Sequence, residues 1–246
     1  MDANKPVKYI EMDAGLGDMI VCAGLLAFLA QRYTIILRYS AKQAKNRVTH
    51  ESFFAGTGIK LVHSDWKLPF TENPYCIEQS GRKVNSKIEG KLSDPFYSLF
   101  SFCFISQEKK NKVIYPYPIG FYKKWKVPYS LRFRYCPLRN NSFRVDQLPV
   151  PDEPYIFMHE DLVRGFPIDK RRIPKGVKII QTKHDETVSV LAYRDLIENA
   201  KEIHCIDSSF FHLVNSFRPI GKLVYHYYAR PRSPEFDMHR EWVKLV

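Results

Sequence analysis

The chain has 246 residues, of which 45% are hydrophobic and 14% aromatic, and a formal net charge of +12. That composition excludes a disordered chain, and the length suits one large domain or two small α/β domains. No run approaches the roughly 18 uninterrupted apolar residues of a membrane span. Cys22, Cys76, Cys103, Cys136 and Cys205 show neither CxxC nor Cys/His ligand spacing, which argues for free thiols in a reducing compartment and against a structural zinc.

The stretch VKYIEM at 7–12 reads as a strand, and the dense apolar run from Met19 as a buried helix near 18–32. That run is too short for a span, and an acidic, glycine-rich turn precedes it instead of a basic region, so no signal peptide is expected. Gly15 and Gly17 lie at the strand-to-helix turn, where backbone without Cβ turns tightly or lets a ligand approach. Asp18 stands at the helix start, a good capping position, and a capped βα turn explains the stretch as well as a ligand loop does. The dinucleotide fingerprint G-x-G-x-x-G is not met, because Ile20 occupies its third glycine position.

A second strand is expected at 34–40 (TIILRYS), a polar helix at 41–54, and a third strand at 59–64 (IKLVHS). This βαβαβ order implies a parallel sheet. Prolines break the pattern from about 65 to 150, where only 94–105 reads as helix, and LPVPDEP at 148–154 has the proline density of a linker. Alternation then resumes: strands at 155–159 and 177–182, a helix at 190–200, a strand at 202–207, a serine-capped helix from 208, and a strand at 222–228. The chain divides into two α/β halves, 1–150 and 151–246, with a basic aromatic insertion in the first.

The positive charge is concentrated. Residues 109–144 hold ten Lys or Arg and no Asp or Glu, interleaved with aromatics from Tyr115 to Tyr135. Such a segment suits nucleic acid, an acidic or phosphorylated ligand, or an anionic membrane surface. A solvated basic face with inward-packed aromatics explains it equally well. Lys123, Lys124 and Lys126 form one close group within it.

Two stretches carry candidate chemistry. In IHCIDSSFFHL (203–213) a strand ends at Asp207 and Ser208 and Ser209 open a helix, making a ready anion site from hydroxyls and unpaired N–H groups. His212, four residues after Ser208, can face the same crevice. An ordinary cap beside a packed histidine is the plainer reading. In MHEDLVRGFPIDKRR (158–172) the loop after His159 carries Arg164 and Lys170 to Arg172, suited to clamping phosphate or to forming a basic surface turn. Glu160 and Asp161 are expected to balance that loop, and Cys205 with His204 to be packed strand interior. No G-x-S-x-G, G-x-x-x-x-G-K-[ST] or H-E-x-x-H motif occurs.

On these residues the chain resembles the GT-B glycosyltransferases of the lipopolysaccharide heptosyltransferase type, glycosyltransferase family 9. The turn from Gly15 to Ile20 is similar to that family's amino-terminal glycine–aspartate loop. The stretch from His159 to Lys170 lies where the family has a strand and a donor-binding loop. Asp207-Ser208-Ser209-x-x-His212-Leu213 resembles its Asp-Thr-Gly-x-x-His-Leu motif, with Ser209 in place of the glycine. The segment from about 65 to 150 matches nothing in it, and the chain is shorter than the usual two-Rossmann enzyme.

The resemblance implies two Rossmann-like halves with a cleft between them, in a compact version, the second half binding a nucleotide-sugar donor and the first a glycan or glycolipid acceptor. It implies Asp18 as base, Gly15, Gly17, His159, Arg164, Lys170, Lys183, Asp207, Ser208, Ser209 and His212 on the donor side, and Lys123, Lys124 and Lys126 toward the acceptor or an anionic membrane. It implies inverting transfer with no metal and no cofactor beyond the nucleotide sugar, in the cytoplasm or peripherally at the membrane. A nucleic-acid-binding protein using 109–144 and a sugar-nucleotide epimerase on the same fold are the alternatives.

Overall fold

A computed structural model describes residues 5–12, 15–39, 45–63, 97–98, 117–139, 145–183, 185, 187–231 and 240–246. The first sheet holds β1 (Val7–Met12), β2 (Thr34–Tyr39), β3 (Lys60–His63) and β4 (Tyr97–Ser98), in the order β3-β2-β1-β4. The second holds β5 (Tyr155–His159), β6 (Lys178–Gln181), β7 (Glu202–Cys205), β8 (Lys222–His226) and β9 (Trp242–Leu245), in the order β6-β5-β7-β8-β9. Every pairing between the strands of these two sheets is parallel, from Val7 opposite Thr34 in the first to Leu223 opposite Trp242 in the second. The protein is thus α/β with two parallel sheets of Rossmann type.

Central strands of parallel sheets are covered on both faces and read as continuous apolar runs. β5 is buried from Tyr155 to Met158, whereas the edge strand β6 is largely exposed. Residues 145–154 between the sheets carry no regular structure, as their prolines demand. Eight of the expected elements recur with boundaries trimmed by a residue or two. The helix expected at 190–200 begins as a 3₁₀ turn, Val190–Tyr193, capped by Ser189, and continues as a short helix, α5 (Arg194–Glu198). Two strands were not expected. β9 is short and lies at an edge, and Tyr97–Ser98 is a strand beside β1 where the sequence reads as helix; the rest of 94–105 falls outside the described residues.

Helix α1 (Leu16–Ala30) is the hub. It is buried from Met19 to Leu26 and again at Leu29, as befits a helix apolar on all sides. Its start needs correction: the N-cap is Gly15, not Asp18, and Asp18 sits three residues in. Glycine has no side chain to cap with, so the Asp18 carboxylate supplies the bond instead, accepting from Gly15 N at 2.8 Å. This is the reciprocal half of a capping box.

Two short helices from the basic segment pack on α1: α3 (Tyr117–Lys124) and α4 (Leu131–Arg134). Tyr122 on α3 is fully buried, and its hydroxyl accepts from Leu25 N at 3.1 Å and donates to Val21 O at 2.9 Å. Those two groups are the donor and acceptor of one i→i−4 helical pair, so the hydroxyl bridges a rung of the α1 ladder. Phe121 and Phe133 are buried too, and Trp125, Tyr129 and Tyr135 are half-buried. The aromatic side chains described in this segment are therefore buried or half-buried.

The remaining helices are α2 (Arg47–Phe54), whose Thr49 hydroxyl accepts from Val190 N at 3.1 Å across the two sheets, and α6 (Ser209–Ser216), which packs directly on α1. One apolar cluster runs from Ile10 through α1 to Phe157 and Leu223, so both sheets share a core. Cys22, Cys136 and Cys205 are buried thiols outside any disulfide. Among the described residues no helix is long and apolar enough to cross a membrane.

The tightest approach in this core is at Gly24. A Cβ there would lie 2.1 Å from the carbonyl oxygen of Arg132, and neither backbone can give way cheaply. Gly24→Ala is expected to destabilise the protein by about 1–3 kcal/mol or more, the cost of overpacking, read as a lower urea midpoint. An unchanged midpoint would show that α4 is not seated on α1.

Candidate functional site

The loops that end β1 and β7 are about 190 residues apart in sequence, yet the two helices they open meet end to side. At Gly17 a Cβ would stand 3.2 Å from His212 Cδ2, 3.6 Å from Ser209 Cα and 3.7 Å from Ser209 N. The start of α1 and the start of α6 are thus in close contact, and a side chain at position 17 would need the His212 ring to give by a few tenths of an ångström. Gly15, by contrast, has φ −67° and an open flank 3.6 Å from Asp18 Oδ2, so no backbone geometry reserves that position for glycine.

Ser208 is the N-cap of α6. Its backbone is extended, and its Oγ accepts from Phe211 N at 3.4 Å while its carbonyl accepts from His212 N at 3.4 Å. The N–H groups of Ser209 and Phe210 precede these and have no acceptor within the helix, which is the arrangement that holds anions at helix starts. Asp207 is buried just before the cap, and its carbonyl accepts from Arg230 Nη1 at 2.6 Å. Arg230, itself buried and 4.9 Å above the Phe166 ring, was missed in sequence. The one hint of it is its position just past β8, at the carboxyl edge of the sheet.

His159 ends β5 beside this helix start. Its ring stacks on Phe210 at 4.4 Å, and Nδ1 contacts Thr182 Oγ1 at 2.7 Å. Burial, assisted by the Arg164 and Arg230 charges, pushes the imidazole down to about 3. His212, buried against Gly17, is likewise held to about 3 by burial and then by the Arg132 charge. Both are neutral imidazoles at physiological pH, able to orient a ligand but not to supply charge.

The cations expected to clamp phosphate are occupied. Lys170 Nζ lies 2.6 Å from Glu160 Oε1 and 3.1 Å from Met158 Sδ. Glu160 is buried, and it also accepts from Ile168 N at 2.6 Å and Gln181 Nε2 at 2.8 Å, so this carboxylate fastens the whole 160–170 loop. Arg164 is exposed and pairs with Asp161, whose carboxyl its hydrogen bonds hold below the usual range against the opposing effect of burial. Arg171 pairs with Asp169 in the same way at 2.9 Å. Three of the loop's four cations thus pair with its carboxylates, and Arg172 instead lies over the Tyr228 ring and donates to Val246 O at 3.0 Å.

Lys183 is exposed after β6, tied only through its backbone to the Tyr193 hydroxyl at 3.1 Å. Lys123 and Lys126 are exposed at the end of α3, Lys126 with φ 54°, and the Lys124 side chain falls outside the described residues. None of these lysines is brought to the α1–α6 contact by any described bond. Among the described residues no group of three His, Cys, Asp or Glu side chains converges as a metal-ligand set.

A second polar assembly crosses the sheet. His204 Nε2 is 3.1 Å from Glu202 Oε2, His204 Nδ1 is 2.8 Å from His226 Nε2, and His226 Nδ1 is 3.0 Å from the Tyr228 hydroxyl. That hydroxyl accepts from Asp169 N at 2.9 Å, which anchors the line to the loop fastened by Glu160.

No family model matches the chain, and no curated protein matches it. Among solved structures it is loosely similar to the crystal structure of the glycosyl transferase family 9 from Veillonella parvula DSM 2008. The TM-score is 0.47 with 10% identity, covering 98% of this chain and 86% of that one.

Burial lowers five histidines from the usual 6.5: His50 and His226 to about 4, His159 and His212 to about 3, and His204 in the same direction. The unfolded chain takes up these protons near pH 6.5, while in the folded protein His50, His159, His212 and His226 do not until about pH 4 or lower, and His204 takes up its proton below the usual 6.5. The unfolded state thus binds more protons in that window, and stability falls as pH drops through it, by up to about 1.4 kcal/mol per pH unit for each histidine. Urea midpoints should therefore decline steeply between about pH 7 and about pH 5. A flat profile there would mean that these rings are hydrated.

Proposed function

We propose that this protein is a glycosyltransferase that moves a sugar from a nucleotide-sugar donor to a hydroxyl of a glycan or glycolipid acceptor. One observation carries the reading: the Gly17 face of α1 lies against Ser209 and His212 of α6. The two motifs on which the sequence resembles family 9 transferases are thereby neighbours, although nothing in their sequence separation requires it. An acceptor-side base and a donor-side phosphate cradle need this proximity, whereas a basic nucleic-acid-binding face does not.

In this reading the donor's diphosphate meets the Ser209 and Phe210 N–H groups, with His159 and His212 orienting it as neutral imidazoles. Charge builds on the diphosphate as the sugar departs, so fixed N–H dipoles favour the transition state over the bound donor. Asp18 takes the acceptor proton as its hydroxyl attacks the anomeric carbon from the opposite side, giving inversion. The Gly15 N–H fixes the orientation of the Asp18 carboxylate. Lys170 holds the 160–170 loop through Glu160, and Arg164 is the exchangeable cation at its tip. Lys123, Lys124 and Lys126 serve the acceptor or an anionic membrane surface. The scheme invokes no metal.

Asp18→Asn separates catalysis from capping. The amide oxygen still accepts from Gly15 N, so thermal stability and nucleotide binding should stay near wild type. An amide cannot take a proton, so transfer should fall by at least about a hundredfold. The measurement is release of nucleoside diphosphate from a panel of nucleotide sugars with and without glycan acceptors, repeated with a chelator, which should leave the wild-type rate unchanged. Full activity in the folded variant would remove Asp18 from the chemistry.

A further inference from the structure

Arg132, the second residue of α4, is only 2% exposed. Its Nη1 donates to the Tyr129 hydroxyl, and its guanidinium lies 4.7 Å from the Phe133 ring centroid and 5.7 Å from that of Tyr129. Nε and Nη2 are buried and have no hydrogen-bond partner, and no carboxylate pairs with the charge among the described residues. Aromatic faces offset part of the lost hydration. They do not satisfy two guanidinium donors, and a buried charge left this way is strongly unfavourable unless an anion meets it.

Its position says where that anion sits. Gly17 and Gly24 are seven residues apart in α1, two helical turns, and so lie on one face about 10 Å apart. Gly24 receives the backbone of Arg132 itself, and Gly17 receives Ser209 and His212 of α6. The Arg132 backbone and the start of α6 therefore lie against the same face of α1, two turns apart. The Arg132 charge is indeed felt at the His212 ring, where it adds to burial in keeping the imidazole neutral.

We infer that Arg132 is the buried cation of a diphosphate site at the start of α6, its Nε and Nη2 donors closing on the anion that the Ser209 and Phe210 N–H groups hold from the other side. This rests on the proposed role of α6 as the phosphate cradle and reassigns one residue of the basic segment from acceptor to donor. It also gives that segment a reason to pack on α1: it delivers a second buried cation besides Arg230, where the expected clamps Arg164 and Lys170 are already paired with carboxylates.

The test is binding, not turnover, so it stands apart from the fate of Asp18. Inorganic pyrophosphate and nucleoside diphosphates are titrated into wild type, Arg132→Met and Arg132→Lys by calorimetry, with thermal melting at matched ionic strength. Arg132→Met replaces an unpaired buried charge by an apolar chain of similar length, so the ligand-free protein should melt at or above the wild-type temperature. Its affinity for pyrophosphate should fall at least about tenfold, the scale of one charge-assisted hydrogen bond, with Arg132→Lys between the two. If Arg132→Met melts well below wild type without ligand, or all three proteins bind pyrophosphate equally, Arg132 is a packing residue and the inference fails while the α6 cradle stands. If wild type binds neither pyrophosphate nor nucleoside diphosphates, the cradle and Arg132 fall together. Tighter binding of nucleoside diphosphates than of pyrophosphate would assign the diphosphate to a nucleotide; equal binding would assign the site to free phosphates.

Discussion

Everything in this protein is arranged around how closely other backbones can approach one face of α1. At Gly24 the carbonyl of Arg132 occupies the space that any other residue's Cβ would need, and at Gly17 the His212 ring at the start of α6 leaves a Cβ only a tight fit. The Tyr122 hydroxyl, bridging Val21 O and Leu25 N, fills the position between them. A single stripe of one helix therefore sets the seating of the basic segment, of the second sheet's most apolar helix and of Asp18. Side chains on that stripe would separate the sheets and with them the residues that make a site.

Against this close packing the charges divide into two kinds. Those of the 160–172 loop are local pairs, Arg164 with Asp161 and Arg171 with Asp169, with Lys170 drawn to the buried Glu160. They hold loop shape and contribute little long-range field. The second kind is buried and points inward: Arg132 behind α1 and Arg230 behind Asp207, on either side of neutral histidines. A net charge of +12 overstates how much of the positive charge near the site faces solvent. Its sign at the α6 start comes from two arginines and a helix terminus.

The sheets were legible because buried parallel strands leave little else to read. VKYIEM, YIFMH and KLVYH are short, β-branched and aromatic, and each became a strand within two residues of its expected ends. β4 and β9 were not legible, since two residues beside β1 and four at an edge carry too weak a pattern. The pieces of the site were visible as motifs, but their contact was not, because the sequence does not say which glycine faces which helix. Arg164 and Lys170 looked like free clamps because spacing alone cannot show that Asp161 and Glu160 reach them first. Arg132 and Arg230 were hidden for the opposite reason. Nothing in a basic segment, or after a strand, distinguishes the one arginine that turns inward.

The line from Glu202 to Asp169 has a property that distances alone do not state. The Glu202 carboxylate can only accept, so His204 carries its proton on Nε2 and leaves Nδ1 bare. His226 must then donate from Nε2, which leaves its own Nδ1 bare for the Tyr228 hydroxyl, whose oxygen takes the Asp169 N–H. Both rings are thus locked in the same tautomer, and every proton along the line points toward β7. No single ring can change tautomer alone without setting two protons, or two lone pairs, face to face. The four side chains form one object with a head and a tail, its tail, the Tyr228 hydroxyl, gripped by the Asp169 N–H and its head the Glu202 carboxylate on β7.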